Sequence, residues 1–304
     1  MIIRISDNLK NQEIWANGNE LASIMGKDKK NGKRVLDYPE NEKQIVCNFA
    51  NPVLITDNYR ISKLKPALRD TVFSLYSSRP RIIEYDGVSV RWDEKYKTVW
   101  CPSIDTILFA KVLKKILPKL KDIRTVAEIG CGSGFLSKYL LEKNKKIESL
   151  WINDINPQAI ACAKENIKDK RAKFFVGNGL KLIRNKKFDL IICNPPYIPR
   201  PKSIDDNPYE GVSLLYHFLN QGKKYLSKRG ILITNISSLS EKIVLKKKPK
   251  IEILETMTVP LKVNNLMNNP SWIKYLMKNG LKKKMFRGYE YWQKINIVSI
   301  ENKI

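Results

Sequence analysis

The sequence holds a single histidine, His217, in 304 residues. It lies in a helix-like stretch (residues 214–226), where a structural role is expected rather than acid–base or metal chemistry. Five cysteines, Cys47, Cys101, Cys131, Cys162 and Cys193, include no Cys-x-x-Cys pair. No metal site is therefore expected, and the pattern suits free thiols in an intracellular protein. No apolar run approaches the roughly 18 residues that a membrane span needs. Met1-Ile2-Ile3-Arg4-Ile5-Ser6-Asp7 turns polar at once, so no secretory leader is expected and a cytoplasmic location is.

Acidic residues are also scarce, at 30 against 56 Lys and Arg, for a net charge of +26. Residues 1–100 carry 17 basic and 13 acidic side chains, which leaves 39 against 17 for the remainder. The excess thus belongs to the later part of the chain. Lys246-Lys247-Lys248 and Lys282-Lys283-Lys284 could track phosphates, which would favour an RNA, DNA or ribosomal partner. Lysine outnumbers arginine 43 to 13, however, and Asn and Ile are abundant. An A·T-rich genome would produce the same bias, and lysine runs beside turns are commonly solvated faces.

What the chain does have is a strand–loop–helix unit. Thr125 to Ile129 reads as a short buried strand, Gly130-Cys131-Gly132-Ser133-Gly134 as a loop, and Phe135 to Leu141 has helical spacing. Glycines there let the backbone turn sharply and approach a ligand without side-chain obstruction. The spacing differs from the Gly-x-Gly-x-x-Gly of dinucleotide sites, and no Lys-Ser/Thr follows as in a P-loop. The unit opens a doubly wound α/β nucleotide site. A second strand, Ser149 to Asn153, ends in Asp154, where an acid could accept hydrogen bonds from ribose hydroxyls or, alternatively, serve the N-terminus of the helix that Asn156-Pro157 begins. A third strand, Ala172 to Val176, ends in Gly177-Asn178-Gly179. Asn178 could meet an adenine edge or simply make a turn.

The apolar run Leu190-Ile191-Ile192-Cys193 then delivers Asn194-Pro195-Pro196-Tyr197. Two prolines fix φ and remove backbone donors, so carbonyls and the Asn amide are left as acceptors. The tyrosine adds a flat apolar face. Such a tetrad can close a strand as an ordinary turn, or it can hold a planar NH2 group. Earlier in the chain, Val99-Trp100-Cys101-Pro102-Ser103-Ile104-Asp105-Thr106 leads into an apolar helix, with Ser103 placed as N-cap and Asp105-Thr106 in the first turn. Ile82 to Tyr85 and Val88 to Trp92 flank Asp86-Gly87, a two-residue hairpin signal.

Glu128-x-Gly-x-Gly-x-Gly, Asp154, Asn178 and Asn-Pro-Pro-Tyr, in this order, resemble a class I S-adenosylmethionine-dependent methyltransferase over about residues 98–237. The tetrad is similar to those of enzymes that methylate planar nitrogens: the release-factor glutamine methyltransferases of the HemK type and the N6-adenine methyltransferases. The resemblance implies S-adenosylmethionine as cofactor, bound by Glu128, Gly130, Cys131, Gly132, Gly134, Asp154, Asn178 and Asn194. It implies a catalytic clamp of Asn194, Pro195, Pro196 and Tyr197, and a substrate mouth of Pro102, Asp105, Thr106 and Tyr197. The HemK type also carries a hairpin before its catalytic part. Two departures stand out. The family often has Asp where this chain has Asn178, and its acid and Gln after the fifth strand are replaced by Asn235-Ile236-Ser237-Ser238.

The expected architecture is thus a Rossmann-like doubly wound α/β sheet over residues 98–304. It follows an accessory, substrate-recognition region over residues 1–97 that ends in the hairpin. Within the accessory region, helix signals at Glu20 to Met25 and Ala67 to Tyr76 flank a basic loop, Lys27 to Arg34, and an aperiodic stretch, Asn51 to Pro66. Later elements are expected as a helix over 212–228, a fifth strand over 230–236, a strand over 251–259, a helix over 271–279 and a strand over 289–300. The expected activity is N-methyl transfer, favoured on a protein glutamine of a release factor or ribosomal protein. N6-adenine or N2-guanine methylation of RNA or DNA is the alternative. A third possibility, a nucleic-acid-binding protein retaining the fold without activity, has no use for the intact tetrad and loop.

Overall fold

The computed structural model describes residues 2–6, 44–48, 81–96, 98–120, 122–201, 211–247, 249–261, 270–286 and 289–302. The helix signals at 20–25 and 67–76, the stretches 27–34 and 51–66, and Lys248 of the first lysine cluster lie outside those residues. The chain divides into two units. One comprises Met1–Lys95, Val259–Met277 and Leu281–Gln293, and the other Tyr96–Thr258, Lys278–Gly280 and Lys294–Ile304. The sequence-based division near residue 98 assigned the whole tail to the catalytic part. Two of its segments instead cluster with the N-terminal residues, since contacts rather than chain order set a unit.

In the first unit, β1 (Ile2–Ser6) runs parallel to both β2 (Gln44–Asn48) and β3 (Arg81–Tyr85). β3 then turns back into β4 (Val88–Trp92), giving the order β2-β1-β3-β4. Asp86 and Gly87 both have positive φ, 51° and 74°, the backbone that a tight hairpin turn demands. Val88, Val90 and Trp92 bury one face of β4 while Arg91 faces solvent, as a period of two requires.

The second unit carries the site. β5 (Thr125–Ile129), β6 (Ser149–Asp154), β7 (Ala172–Val176), β8 (Phe188–Cys193) and β9 (Leu226–Ser237) are parallel. With β10 (Glu252–Pro260) and β12 (Tyr289–Glu301) the sheet order is β10-β12-β9-β8-β5-β6-β7. Residues Ile295–Glu301 of β12 pair antiparallel with β9. β11 (Lys282–Phe286) pairs with β12 off this path. It is a strand that Lys282-Lys283-Lys284 concealed in the sequence, although lysines are common on strands left at an edge. The strand order reverses between β5 and β8, and ligands of doubly wound sheets bind in the crevice at that switch point.

α1 (Ile104–Ile116) and α2 (Phe135–Lys143) cover one face, and α5 (Ser213–Gln221) covers the other. On the α5 face, Ala127, Ile129, Ile191, Cys193, Leu232, Ile236 and Val298 pack with Leu215, Phe218 and Leu219. Each fully buried aliphatic side chain contributes about 1.5–3 kcal/mol. α5 ends seven residues short of the expected helix. A Cβ on Gly222 would lie 2.3 Å from Leu232 Cδ1, so the chain is drawn against β9 there and tightens into a 3₁₀ turn, Gly222–Tyr225. α3 (Pro157–Asn166) and the one-turn α4 (Gly179–Leu182) follow β6 and β7. α6 (Glu241–Val244) follows β9, and α7 (Pro270–Lys278) buries Trp272 and Leu276.

Opposite the crevice, Asp189 braces three strands. Its Oδ2 accepts from the backbone N–H of Thr125 (2.9 Å) and Arg124 (3.1 Å) and from Thr125 Oγ1 (2.9 Å), while Oδ1 accepts from Ser227 Oγ (2.7 Å). Arg171 closes the C-terminus of α2, donating to the carbonyls of Leu141 (2.7 Å), Asn144 (3.2 Å) and Ile147 (3.2 Å). The Leu141 carbonyl is one that a helix end leaves without an internal partner, and the other two lie at the cap and in the loop that follows.

Candidate functional site

β5 ends at the switch point, and the glycine loop carries the chain from it into α2. The N–H groups of Gly130 and Cys131 both donate to the Asn153 carbonyl at 2.9 Å, which bends the loop across the end of β6. Gly130, Gly132 and Gly134 have φ of 74°, 53° and 82°, a region that other residues enter at a cost. Gly134 is constrained twice, since a Cβ there would lie 2.9 Å from that of Ala163 on α3. Asn166 of α3 fixes the same loop by donating to the Ser133 carbonyl at 3.0 Å.

Asp154 meets this loop directly. Its Oδ2 accepts from the Gly132 N–H (3.0 Å) and its Oδ1 from the Asn156 N–H (2.9 Å). Burial pushes its pKa up despite these bonds. The helix-capping role belongs instead to Asn156, whose side chain accepts from the Gln158 N–H, with Pro157 at the first helical position. Each Asp154 oxygen keeps a lone pair, so the carboxylate can still take hydroxyl donors. Around it stand apolar side chains in water: Ile155 is 55% exposed, Val176 53%, and Leu182 40%. Val176 pairs with Asp154 across the β6–β7 ladder. Leu182 stands beside the backbone of Gly177, 3.5 Å from where a Cβ would be. Trp100 is 61% exposed, and its carbonyl lies 3.8 Å from the Cβ position of Gly132. The strap that carries it is pinned by Asn156, whose Nδ2 donates to the Thr98 carbonyl and hydroxyl at 3.2 and 2.9 Å.

At the end of β8, Asn194 Nδ2 donates to Thr106 Oγ1 at 3.1 Å. The same hydroxyl accepts from the Ser103 N–H at the start of α1 (3.4 Å). Asn194 Oδ1 is buried and has no hydrogen-bond partner. Pro195 is buried, whereas Tyr197 is half-buried and packs against the apolar cluster on the α5 side.

The remaining residues singled out by the sequence are placed as follows. Glu128 is 1% exposed beneath the loop, with Ser137 Oγ donating to its Oε2. Burial pushes its pKa up to about 8, against the opposing hydrogen bonds of Ser137. Cys131 is buried in the loop, and its thiol is pushed well up by burial. Asn178 is exposed and caps α4, its Oδ1 accepting from the Lys181 N–H at 3.4 Å. Asp105 is buried and accepts from Ser103 Oγ, and Pro102 is half-buried beside it. His217 is exposed on α5, with Nδ1 3.4 Å from Gln221 Nε2. Among the described residues, no group of three or more His, Cys, Asp or Glu could hold a metal ion.

Sequence reasoning missed Asn153. Its Nδ2 donates to the carbonyls of Phe175 (3.1 Å) and Gly177 (2.8 Å), which fixes the turn before Asn178. It also passed over the exposed apolar rim of Ile155, Val176 and Leu182, which no spacing rule marks.

Comparison with known proteins gives the family of the chain. Residues 104–253 match the methyltransferase small domain family. A Methanocaldococcus jannaschii protein, provisionally assigned as a protein N5-glutamine methyltransferase, is 33% identical over 204 residues, covering 62% of this chain and 98% of that one. The release factor glutamine methyltransferase of Aquifex aeolicus is 28% identical over 165 residues, 49% of this chain, and the chain spans 58% of its length. The eRF1 methyltransferase catalytic subunit of Schizosaccharomyces pombe is 28% identical over 169 residues, covering 45% of this chain and 72% of the relative.

Proposed function

This chain belongs to the HemK-type methyltransferases, and we propose that it uses S-adenosylmethionine to methylate the side-chain nitrogen of a protein glutamine. A release factor is the favoured target, acting with translation proteins in the cytoplasm. The residues fit the cofactor. The glycine backbone offers close approach for its methionine part, Asp154 retains lone pairs for ribose hydroxyls, and the exposed rim of Ile155, Val176 and Leu182 suits a purine. Asn178 caps α4 through Oδ1 alone, so its Nδ2 donors and second lone pair could meet an adenine edge. Bound there, the cofactor supplies a methyl group already activated on a sulfonium.

The observation that carries the reading is the orphaned Oδ1 of Asn194. Thr106 takes the Nδ2 of that amide, so Oδ1 is left to accept from a donor brought in from outside. A carboxamide nitrogen is a poor nucleophile because its lone pair is delocalised into the carbonyl. Hydrogen bonds from its two N–H groups to Asn194 Oδ1 and the Pro195 carbonyl would orient and rehybridise it. On transfer the nitrogen would take the methyl carbon as that carbon's bond to sulfur breaks, leaving a neutral thioether, and would release one proton to water. Positioning and electrostatics supply the barrier reduction in this scheme. Tyr197, with its apolar face, would border the planar acceptor.

The test is transfer of tritium from labelled S-adenosylmethionine to a purified release factor and, in parallel, to cell lysate divided between protease and nuclease treatment. Label removed by protease alone is expected. Label removed by nuclease alone would support the base-methylating alternative that the +26 charge suggests. Transfer unchanged in Asn194→Ala would remove the clamp from the mechanism.

A further inference from the structure

We infer that Asn235 is a second amide of the acceptor site, with its Nδ2 donating to the carbonyl oxygen of the target carboxamide. The inference rests on the proposed glutamine reading and deepens it. Asn235 is 0% exposed, and neither its Oδ1 nor its Nδ2 has a hydrogen-bond partner. Leaving one buried polar group unpaired costs about 1–3 kcal/mol, and here both ends of one side chain are unpaired. Such groups are rare in native interiors and ask for a reason. Among the described residues no hydrogen bond supplies one.

Register places this amide next to the clamp. Cys193 pairs with Thr234 across the parallel β8–β9 ladder, so Asn235 follows on β9 as Asn194 follows on β8. Leu232 and Ile236 belong to the cluster beneath α5, so by alternation Ile233 and Asn235 point to the opposite face. That is the face of α1, from which Thr106 reaches Asn194. Neighbouring strands lie about 4.8 Å apart, so Asn194, one residue past the end of β8, and Asn235 of β9 lie on adjacent stretches of chain. Ser299, paired with Ile233 on β12, has a buried and unpartnered Oγ on the same face. Unpartnered polar atoms thus occur at Asn194, on β9 and on β12, although Asn235 itself pairs with the apolar Ile297 and Ser299 lies two residues back along the ladder.

The chemistry assigns Asn235 to the acceptor. The cofactor half of the crevice lies over β5, β6 and β7, and β9 lies on the far side of the clamp. A primary carboxamide presents N–H donors and, from the same plane, a carbonyl acceptor. Asn194 Oδ1 receives an N–H, and Asn235 Nδ2 supplies the donor that the carbonyl lacks. Held at both ends, the amide plane cannot rotate the nitrogen out of line. Asn235 is thus a positioning residue for the acceptor.

The experiment compares the full-length protein with Asn235→Leu, which matches the amide in shape, and with Asn235→Ala. Thermal unfolding is measured alongside tritium transfer to a purified release factor and calorimetric binding of S-adenosylhomocysteine. The expected result for Asn235→Leu is a raised unfolding midpoint, unchanged S-adenosylhomocysteine affinity, a kcat lowered about 10–100-fold and a raised KM for the release factor. Asn235→Ala is expected to show the same kinetic split. A lowered midpoint with kcat and KM unchanged in both variants would make Asn235 a structural residue and overturn the inference. Wild-type protein that labels nuclease-sensitive material and no protein would overturn the glutamine reading, and the carbonyl partner with it. Wild-type transfer to the release factor that is unaltered by either variant would overturn the role of Asn235 alone.

Discussion

Thr106 Oγ1 accepts the Nδ2–H of Asn194 at 3.1 Å, joining the first turn of a helix to a strand end 88 residues later. The bond fixes which end of the amide is left without a partner, because a hydroxyl that takes Nδ2 leaves Oδ1 for another donor. Thr106→Val keeps the shape of the side chain and removes the acceptor. Its kcat for methyl transfer is expected to fall about tenfold, matching the loss of one orienting hydrogen bond of about 1.4 kcal/mol. Thr106→Ser should stay near wild type. Steady-state kinetics on the two variants checks this.

Asn194→Ala removes the acceptor itself. A loss of about 10²–10³ in kcat is expected, the scale seen when one group of a preorganised site is deleted. Stability should change little, because the orphaned oxygen is lost together with the Thr106 bond. Circular dichroism melts beside single-turnover kinetics separate the two effects.

Glu128 makes stability depend on pH. In the folded chain its pKa is pushed up by burial to about 8 from an ordinary 4.5. The folded form therefore holds a proton that the unfolded chain releases earlier. This contribution is complete below about pH 4.5 and is lost as pH rises toward 8, by on the order of 1.4 kcal/mol per pH unit. Glu128→Gln mimics the protonated form, so its unfolding midpoint should pull ahead of wild type through that window. Melts from pH 5 to 9 measure the gap, and a constant gap would contradict the assignment.

Asp189 behaves in the opposite sense. Burial alone would raise its pKa, but the hydrogen bonds from Thr125, Ser227 and Arg124 outweigh it and hold the carboxyl below its ordinary value. Its stabilisation is present above the ordinary carboxylate range and fades as pH falls through the lowered pKa. Asp189→Ala should destabilise by about 1–3 kcal/mol at neutral pH. S-adenosylhomocysteine binding, across the sheet from this brace, should be preserved. Urea unfolding and calorimetry test the pair of outcomes.

Gly179→Ala should weaken the site by steric means. The added Cβ would lie 2.4 Å from Asn153 Oδ1 and 2.7 Å from an Ile129 methyl. Overpacking of this kind costs about 1–3 kcal/mol. It would also disturb the amide that fixes the turn at Gly177, so reduced cofactor affinity is expected together with a lower melting temperature.

Much of the second unit is legible in the sequence, because its signals are local. The runs 125–129, 149–153 and 172–176 are strands within a residue or so of where they were read. The glycine loop has the positive φ that its composition called for. Ser103 does precede the first helix. These features depend on a few adjacent residues and on a period, and both are written in the chain. The end of α5 was not legible, since it is set by Leu232 pressing against Gly222 from another strand. The lysine-rich β11 was missed because its pairing with β12, not its own composition, makes it a strand.

The residue types that can hold a planar nitrogen, and the glycine and acid beside them, were thus determined by the sequence alone. Their local conformations follow from φ restrictions and hydrophobic runs that act over a few residues. Only the tertiary structure decided that Thr106 takes the Nδ2 end of the Asn194 amide and leaves Oδ1 buried without a partner, that Glu128 sits beneath the loop with a raised pKa, and that both ends of the Asn235 amide are buried and unpartnered. Those outcomes depend on which groups meet across strands and helices distant in the chain. Burial and hydrogen-bond satisfaction are properties of that meeting, and no window of sequence contains them.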